Sequence, residues 1–256
     1  MNTQKLLFST AIATLGCLSL STAANAFTLG GHMTSDGYCS DGTAWEADHG
    51  YNGLFEDGNS AKDTAFVAES RFGDRGEAAE KEFKIFDHQK NGALDETHFN
   101  WENGVSYDFS LKHTDLGWVY QLFDAGTQNV LASVTEEFTG AFSDIFIRTR
   151  AGQGMSMVVD NLFLDGVAVG DDSAVENVQG DFGVDYLRIS DVSESFKLTG
   201  TSTMSWTGEQ DRLKSALAYQ IKVVNLEDAQ SVPEPTLLIG LGASLLGFVR
   251  LRRPNI

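Results

Sequence analysis

The sequence predicts an all-β body, an antiparallel β-sandwich of jelly-roll-like design, set between an N-terminal signal peptide and a C-terminal single apolar helix. Three observations predict it. Apolar and polar residues alternate with period two in several short runs. Turn signals separate these runs at intervals of ~8–12 residues. The runs also fill one continuous body, residues 27–231, a length that suits a single domain with a substantial core.

Taken in chain order, the first element is the signal peptide. Lys5 precedes an uncharged stretch from Leu6 to Leu20, and no acidic residue occurs before Asp36. A basic start, a short apolar core and the small residues Ala24 and Ala26 match the three regions of such a peptide, with cleavage expected after Ala26. The apolar stretch is shorter than the ~20 residues of a membrane span. A lipoprotein signal cut at Cys17 would leave a very short apolar core and a Ser/Thr/Ala stretch without a purpose.

In the body, Gly76 to Phe86 is the one ambiguous segment. Its Glu-Ala-Ala-Glu-Lys-Glu could open a helix, but Phe83 and Ile85 alternate as in a strand, and a strand is expected. Phe99 and Trp101 precede Asn103-Gly104, which predicts a tight hairpin into the next strand. There Val105, Tyr107, Phe109 and Leu111 occupy one face, and Ser106, Asp108, Ser110 and Lys112 the other. Shorter runs follow at Trp118 to Phe123, Asp144 to Arg148, Met155 to Val159, Tyr186 to Ile189 and Phe196 to Thr199. Leu162-Phe163-Leu164, Asp165-Gly166 and Val167-Ala168-Val169 make a second hairpin, and Leu217, Tyr219, Ile221 and Val223 a last strand. The glycines of Gly30-Gly31 and Gly152-Gln153-Gly154 read as turns, since a phosphate loop would need a lysine and a different glycine pattern. The body contains no proline and no internal repeat.

The last element is the tail. Val232-Pro233-Glu234-Pro235 fixes two φ angles and removes two backbone donors, so this segment should be extended and open to a processing enzyme. An uncharged run, Leu237 to Val249, comes next, ending in Arg250, Arg252 and Arg253. The run is short for a full span. Positive charge beside an apolar segment resists translocation, so the arginines would stay in the cytoplasm and the body would face outward.

The Pro-Glu-Pro motif, the Gly-rich apolar run and the arginine cluster together resemble the PEP-CTERM sorting signal of bacterial envelope proteins, over residues 232–256 only. That resemblance implies an exosortase-type processing enzyme as a partner and a passing association with the membrane through the C-terminal helix. An ordinary C-terminal anchor would imply nearly the same topology. The body itself is similar to exported choice-of-anchor domains, of the subtype labelled W, at Ala68-Glu69-Ser70-Arg71-Phe72-Gly73, Asn103 to Leu111, Phe142 to Arg150, Asp160 to Gly166 and Leu217 to Val223. This second resemblance implies a β-rich extracellular module of undefined activity.

Charge excludes one class of partner. The chain has 18 Lys plus Arg against 36 Asp plus Glu. With Lys5, Arg250, Arg252, Arg253 and Glu234 lying in the two ends, the body keeps 14 bases and 35 acids, a net charge of −21. Nucleic-acid phosphates would repel it. Loss of Cys17 with the signal peptide leaves Cys39 without an intramolecular partner, and an inert thiol is expected.

No catalytic motif stands out. The histidines 32, 49, 88, 98 and 113 are scattered, with no i, i+4 pair flanking a glutamate, and are read as surface residues. No Gly-x-Ser-x-Gly elbow occurs. No cofactor is expected, and calcium is the one small ligand with a basis in the residues. Acids crowd at Asp36 to Asp48, Asp87 to Gly92 and Asp171-Asp172. Asp87, Asn91, Gly92 and Asp95 fall at EF-hand loop positions one, five, six and nine, but Gln89, Lys90 and His98 stand where that loop cannot accept them.

Carbohydrate is the other candidate ligand, because β-sandwiches present aromatic rings to sugar faces. Trp101 and Trp118 lie in alternating strands and are expected in the core. Trp45, among Asp41, Glu46, Asp48 and Gly50, has a loop context and is the candidate sugar contact, although burial is the commoner fate of a tryptophan. Two functions stay open. One is a non-catalytic envelope or matrix protein that binds exopolysaccharide, anchored through its C-terminus or released after processing. The other is an exported sugar hydrolase or lyase, which requires a cleft with two carboxylates.

Overall fold

The computed structural model describes residues 27–33, 64–75, 78–87, 92–137, 142–176, 178, 182–193, 195–208 and 217–226. The expected cleavage residues Ala24 and Ala26, Cys39, Trp45, the motif Val232-Pro233-Glu234-Pro235 and the basic tail Arg250, Arg252 and Arg253 lie outside them.

A pleated backbone sends successive side chains to opposite faces, so period-two runs form strands. Fourteen arise among the described residues: β1 (Thr28–Met33), β2 (Thr64–Arg75), β3 (Ala78–Asp87), β4 (Gly92–His98), β5 (Ser106–Thr114), β6 (Gly117–Asp124) and β7 (Val130–Glu136), then β8 (Asp144–Gly152), β9 (Met155–Leu164), β10 (Val167–Ala168), β11 (Ser173–Val175), β12 (Phe182–Ser190), β13 (Phe196–Trp206) and β14 (Leu217–Val224). They make two antiparallel sheets, the first ordered β1-β12-β8-β14-β2-β3-β4, the second β10-β9-β13-β5-β6-β7 with β11 also on β9. Pairing is nested: β9 takes β11, β8 takes β12, β5 takes β13 and β2 takes β14, so early strands pair with late ones around a central fold-back. The hairpins β3–β4 and β6–β7 extend the sheets at one side.

Aromatic pairs join the two inner faces. Phe66 of β2 stacks on Trp118 of β6 with ring centroids 4.1 Å apart, and Phe83 of β3 stacks on Tyr120 of β6 at 4.2 Å. Phe72 meets Trp206 at 4.6 Å and Phe109 meets Tyr219 at 5.5 Å. Each such pair is worth roughly 0.5–1.5 kcal/mol beyond the area it buries. Trp101, Trp118 and Trp206 are all core residues. At the centre the Tyr120 hydroxyl donates to that of Tyr219 (2.8 Å) and shares a second bond with Ser70 (2.9 Å), so neither buried phenol is left unpaired.

The structure departs from the sequence reading at four places. Asn103-Gly104 does not close a hairpin. Phe99 and Trp101 lie beyond the end of β4, where Phe99 N–H still donates to Lys81 O of the first sheet (2.9 Å), whereas Gly104 N–H donates to Met204 O of the second. Asn103 exchanges two hydrogen bonds with the Trp206 backbone, 2.9 and 3.0 Å, so the turn carries the chain from one sheet to the other. Val105 is correspondingly exposed. Gly30-Gly31 is a bulge inside β1, with Gly31 at φ 77°, and not a turn. His113 is buried, its ring stacked on Trp118 at 4.2 Å and edge-on to Phe142, because strand parity puts it on the face of Tyr107, Phe109 and Leu111. The runs at Met155 to Val159 and Leu162 to Leu164 form one strand, β9, against a register shift of β13 between Thr199 and Thr201. Residues 78–87 form a strand as expected, and Asp165 and Gly166, at φ 51° and 81°, make the β9–β10 hairpin turn.

Candidate functional site

The two outer faces differ. On the first sheet, β14 is buried at all eight positions, and Val67, Phe146 and Tyr186 on the same outward side are fully buried. The second sheet keeps the alternation of a half-buried sheet: β13 reads buried and partly exposed in turn from Phe196 to Trp206. Its outer face is therefore the broad surface open to a ligand.

Ser and Thr dominate that surface, and the register sets them in rows. Phe163 of β9 lies opposite Thr199 of β13, Thr199 opposite Ser110 of β5, and Ser110 opposite Gln121 of β6. In the neighbouring row Thr201 lies opposite Asp108, and Asp108 opposite Phe123. A groove of about 560 Å³ runs over Phe163, Thr199, Ser110, Thr201, Asp108 and Phe123, with Asn161 and Lys197 at one side and Gln128 at the other.

Its walls are fixed by hydrogen bonds. The Asp108 carboxylate accepts from Thr201 Oγ1 through one oxygen (2.9 Å) and from Gln128 Nε2 through the other (2.7 Å). Gln128 is held in turn by the β6–β7 loop, where Asp124 accepts from Gly126 N, Thr127 N and Thr127 Oγ1 at 3.1, 2.7 and 2.8 Å. Those bonds, the Thr127 hydroxyl first, hold the Asp124 carboxyl below its usual range. On the opposite wall the register shift between β9 and β13 turns Asn161 and Phe163 outward, and Phe163 is 41% exposed. Gly200 backbone lines the floor, and the position is held to glycine from the core side, where a Cβ would stand 2.8 Å from both Leu162 and Phe109 side-chain atoms.

The first sheet carries its charges in a packed network. Glu69, 1% exposed, accepts from Arg71 Nη2 (2.7 Å) and from Gln220 Nε2 and lies 3.2 Å from Lys84 Nζ, which also meets Glu82 at 2.6 Å. Burial pushes the Glu69 carboxyl up, but the charges of Arg71 and Lys84 and the two hydrogen bonds outweigh it and hold it below its ordinary value. Compensated so, Glu69 is a structural anion.

Ser173, Asp185 and His32 also meet, and their order decides what they can do. Asp185 accepts from Ser173 Oγ (2.8 Å) through one oxygen, and its other oxygen lies 2.9 Å from His32 Nδ1. The carboxylate stands between the hydroxyl and the imidazole, so His32 is not placed to take the Ser173 proton as a nucleophilic triad requires. Ser173 is fully buried as well.

Asp87 and Gly92, two residues of the EF-like match, end up as a cross-strand pair of the β3–β4 hairpin, and Asp95 Oδ2 accepts from Thr135 N of β7 at 2.8 Å. Strands flank this loop where an EF-hand has helices. Among the described residues no group of three or more His, Cys, Asp or Glu is placed to hold a metal ion. The candidate sugar contact Trp45 falls outside the described residues, and the structure instead brings together Asp108, Gln128, Asn161 and Phe163, none of which the sequence singled out as site residues. The outward alternation of Ser106, Asp108, Ser110 and Lys112 was the one signal that marked this face.

No family model matches the chain, and no curated protein matches it.

Proposed function

We propose that this chain is an exported envelope or extracellular-matrix protein whose β-sandwich is a non-catalytic carbohydrate-binding module. The signal peptide ending at Ala26 exports it, and Val232-Pro233-Glu234-Pro235 with Arg250, Arg252 and Arg253 presents it to an exosortase-type enzyme. The nested pairing of β2 with β14, β5 with β13, β8 with β12 and β9 with β11 supports a jelly-roll-like reading of the sandwich.

One observation carries the ligand class: the groove on the second sheet combines hydroxyl and amide groups with the rings of Phe123 and Phe163 on a solvent-facing surface. Sugars offer the same combination, hydroxyls at the edge and an apolar face. The hydrolase alternative needs paired carboxylates, and among the described residues Asp108 is the one carboxylate lining the groove. A glycan array probed with the mature exported protein tests the reading. Binding that is lost in Asp108→Ala, without release of reducing ends from the bound glycan, is the expected result. Absence of any glycan signal overturns it.

A further inference from the structure

Resting on the carbohydrate reading, we infer that the groove holds an internal stretch of a neutral polysaccharide lying across the strands, with Phe163 and Phe123 as two separate stacking platforms and Asp108 as the acceptor between them.

The spacing comes from the sheet itself. Phe163 belongs to β9 and Phe123 to β6, with β13 and β5 between them. Three strand spacings put the two backbones roughly 14 Å apart. A single sugar ring cannot reach both platforms, whereas a chain laid across the sheet can. The groove lies on the outer face of a continuous sheet and follows its residue rows. Such a site admits the middle of a polymer as readily as its end.

The polar centre is set before any ligand arrives. Both Asp108 oxygens already accept a bond from the protein, at 2.9 and 2.7 Å, which fixes the carboxylate and leaves its remaining lone pairs for ligand hydroxyls. Four residues other than glycine have positive φ among the described residues, and two of them, Gln128 at 60° and Asn161 at 49°, line this groove on opposite walls. Backbone strain of this kind persists where the surrounding structure enforces it, and it gathers at sites built for binding. Rigid walls lower the ordering cost of holding a ligand.

Charge selects the polymer. The chain carries a net −18, and among the described residues of the groove lining the one base, Lys197, is matched by Asp108, so no local excess of positive charge offsets the repulsion of uronate or sulfate chains, which neutral chains do not meet.

The test uses the mature protein in gels containing hydroxyethyl cellulose, galactomannan, xylan or alginate, followed by calorimetry with a size series of oligosaccharides from whichever polymer retards it. Retardation is expected in at least one neutral polymer and not in alginate. Affinity should rise about tenfold from the disaccharide to the length that spans both rings and then level off. Phe163→Ala and Phe123→Ala should each abolish that rise, while Ser205→Ala, on the same face outside the groove lining, should preserve it. Affinity independent of length, or alginate binding in place of neutral binding, overturns this inference while the carbohydrate reading stands. No retardation by any polymer overturns both.

Discussion

The Tyr120 hydroxyl donates to the Tyr219 hydroxyl across the middle of the core, 2.8 Å apart, joining β6 of one sheet to β14 of the other. Tyr120→Phe removes both this bond and the one to Ser70, and should cost about 1–3 kcal/mol in urea unfolding. Burial pushes both phenols above their ordinary range. A raised pKa means that the folded state keeps protons the unfolded state loses. Stability should therefore be full below about pH 10 and fall above it, and less steeply in Tyr120→Phe.

Glu69 predicts the acid side. Its carboxyl is held below its ordinary value when folded, so its contribution is present above about pH 4.3 and lost as pH falls through the folded value. Glu69→Gln should destabilise by about 2 kcal/mol at neutral pH, since Lys84 keeps Glu82 as a partner, and the difference from the parent should shrink in acid. Denaturant midpoints at pH 7 and pH 3 check this.

His32 fastens the edge strand β1. Partial burial lowers its pKa, but the hydrogen bond and charge of Asp185, then those of Asp171 at 3.4 Å, more than offset that and raise it. The added stability is full below about pH 6.5 and lost as pH rises through the folded value. An NMR titration should place the His32 midpoint above that of free histidine, and Asp185→Asn should bring it down.

Gly117 opens β6 at φ 108°, where a Cβ would stand 2.2 Å from Glu136 O and 2.8 Å from Glu137 Cα. Backbone atoms cannot yield as a flexible side chain does, so Gly117→Ala should cost about 3 kcal/mol or more. Gly166, at φ 81° with open space around it, supplies the contrast: Gly166→Ala should cost about 1 kcal/mol. Thermal melts of the two variants give the comparison.

The sorting reading predicts a division of labour in the tail. Pro233→Ala with Pro235→Ala should leave the protein exported and membrane-associated but unprocessed, and deletion of Leu237 to Arg253 should release soluble body. Fractionation and intact mass in the native host measure both. Processing of the double proline variant at the parental rate would reduce the tail to a plain anchor.

Alternation placed the strands well, because it reads a property of each segment alone. Tyr107, Phe109 and Leu111 face inward as their spacing requires, and the same parity could have placed His113 inside had its polarity not argued for the surface. Which sheet a strand joins is decided by distant partners. Asn103-Gly104 has the residues of a hairpin, yet Met204 and Trp206 capture it from across the chain. The groove was illegible for the same reason: Asp108, Gln128, Asn161 and Thr201 come from separate segments, and each looks like an ordinary outward residue of its own. Phe163, inside an apolar triplet, gave no sign that it faces outward with 41% of its surface exposed.

The bond from Thr135 N–H to Asp95 has a bearing on crowding. β7 is the last strand of its sheet, and a bare edge of this kind invites a neighbouring molecule to dock its own strand alongside. Here a side chain from β4, the last strand of the other sheet, already occupies one of the edge donors. A second copy would have to dislodge that carboxylate before its own strand could pair with this edge at Thr135.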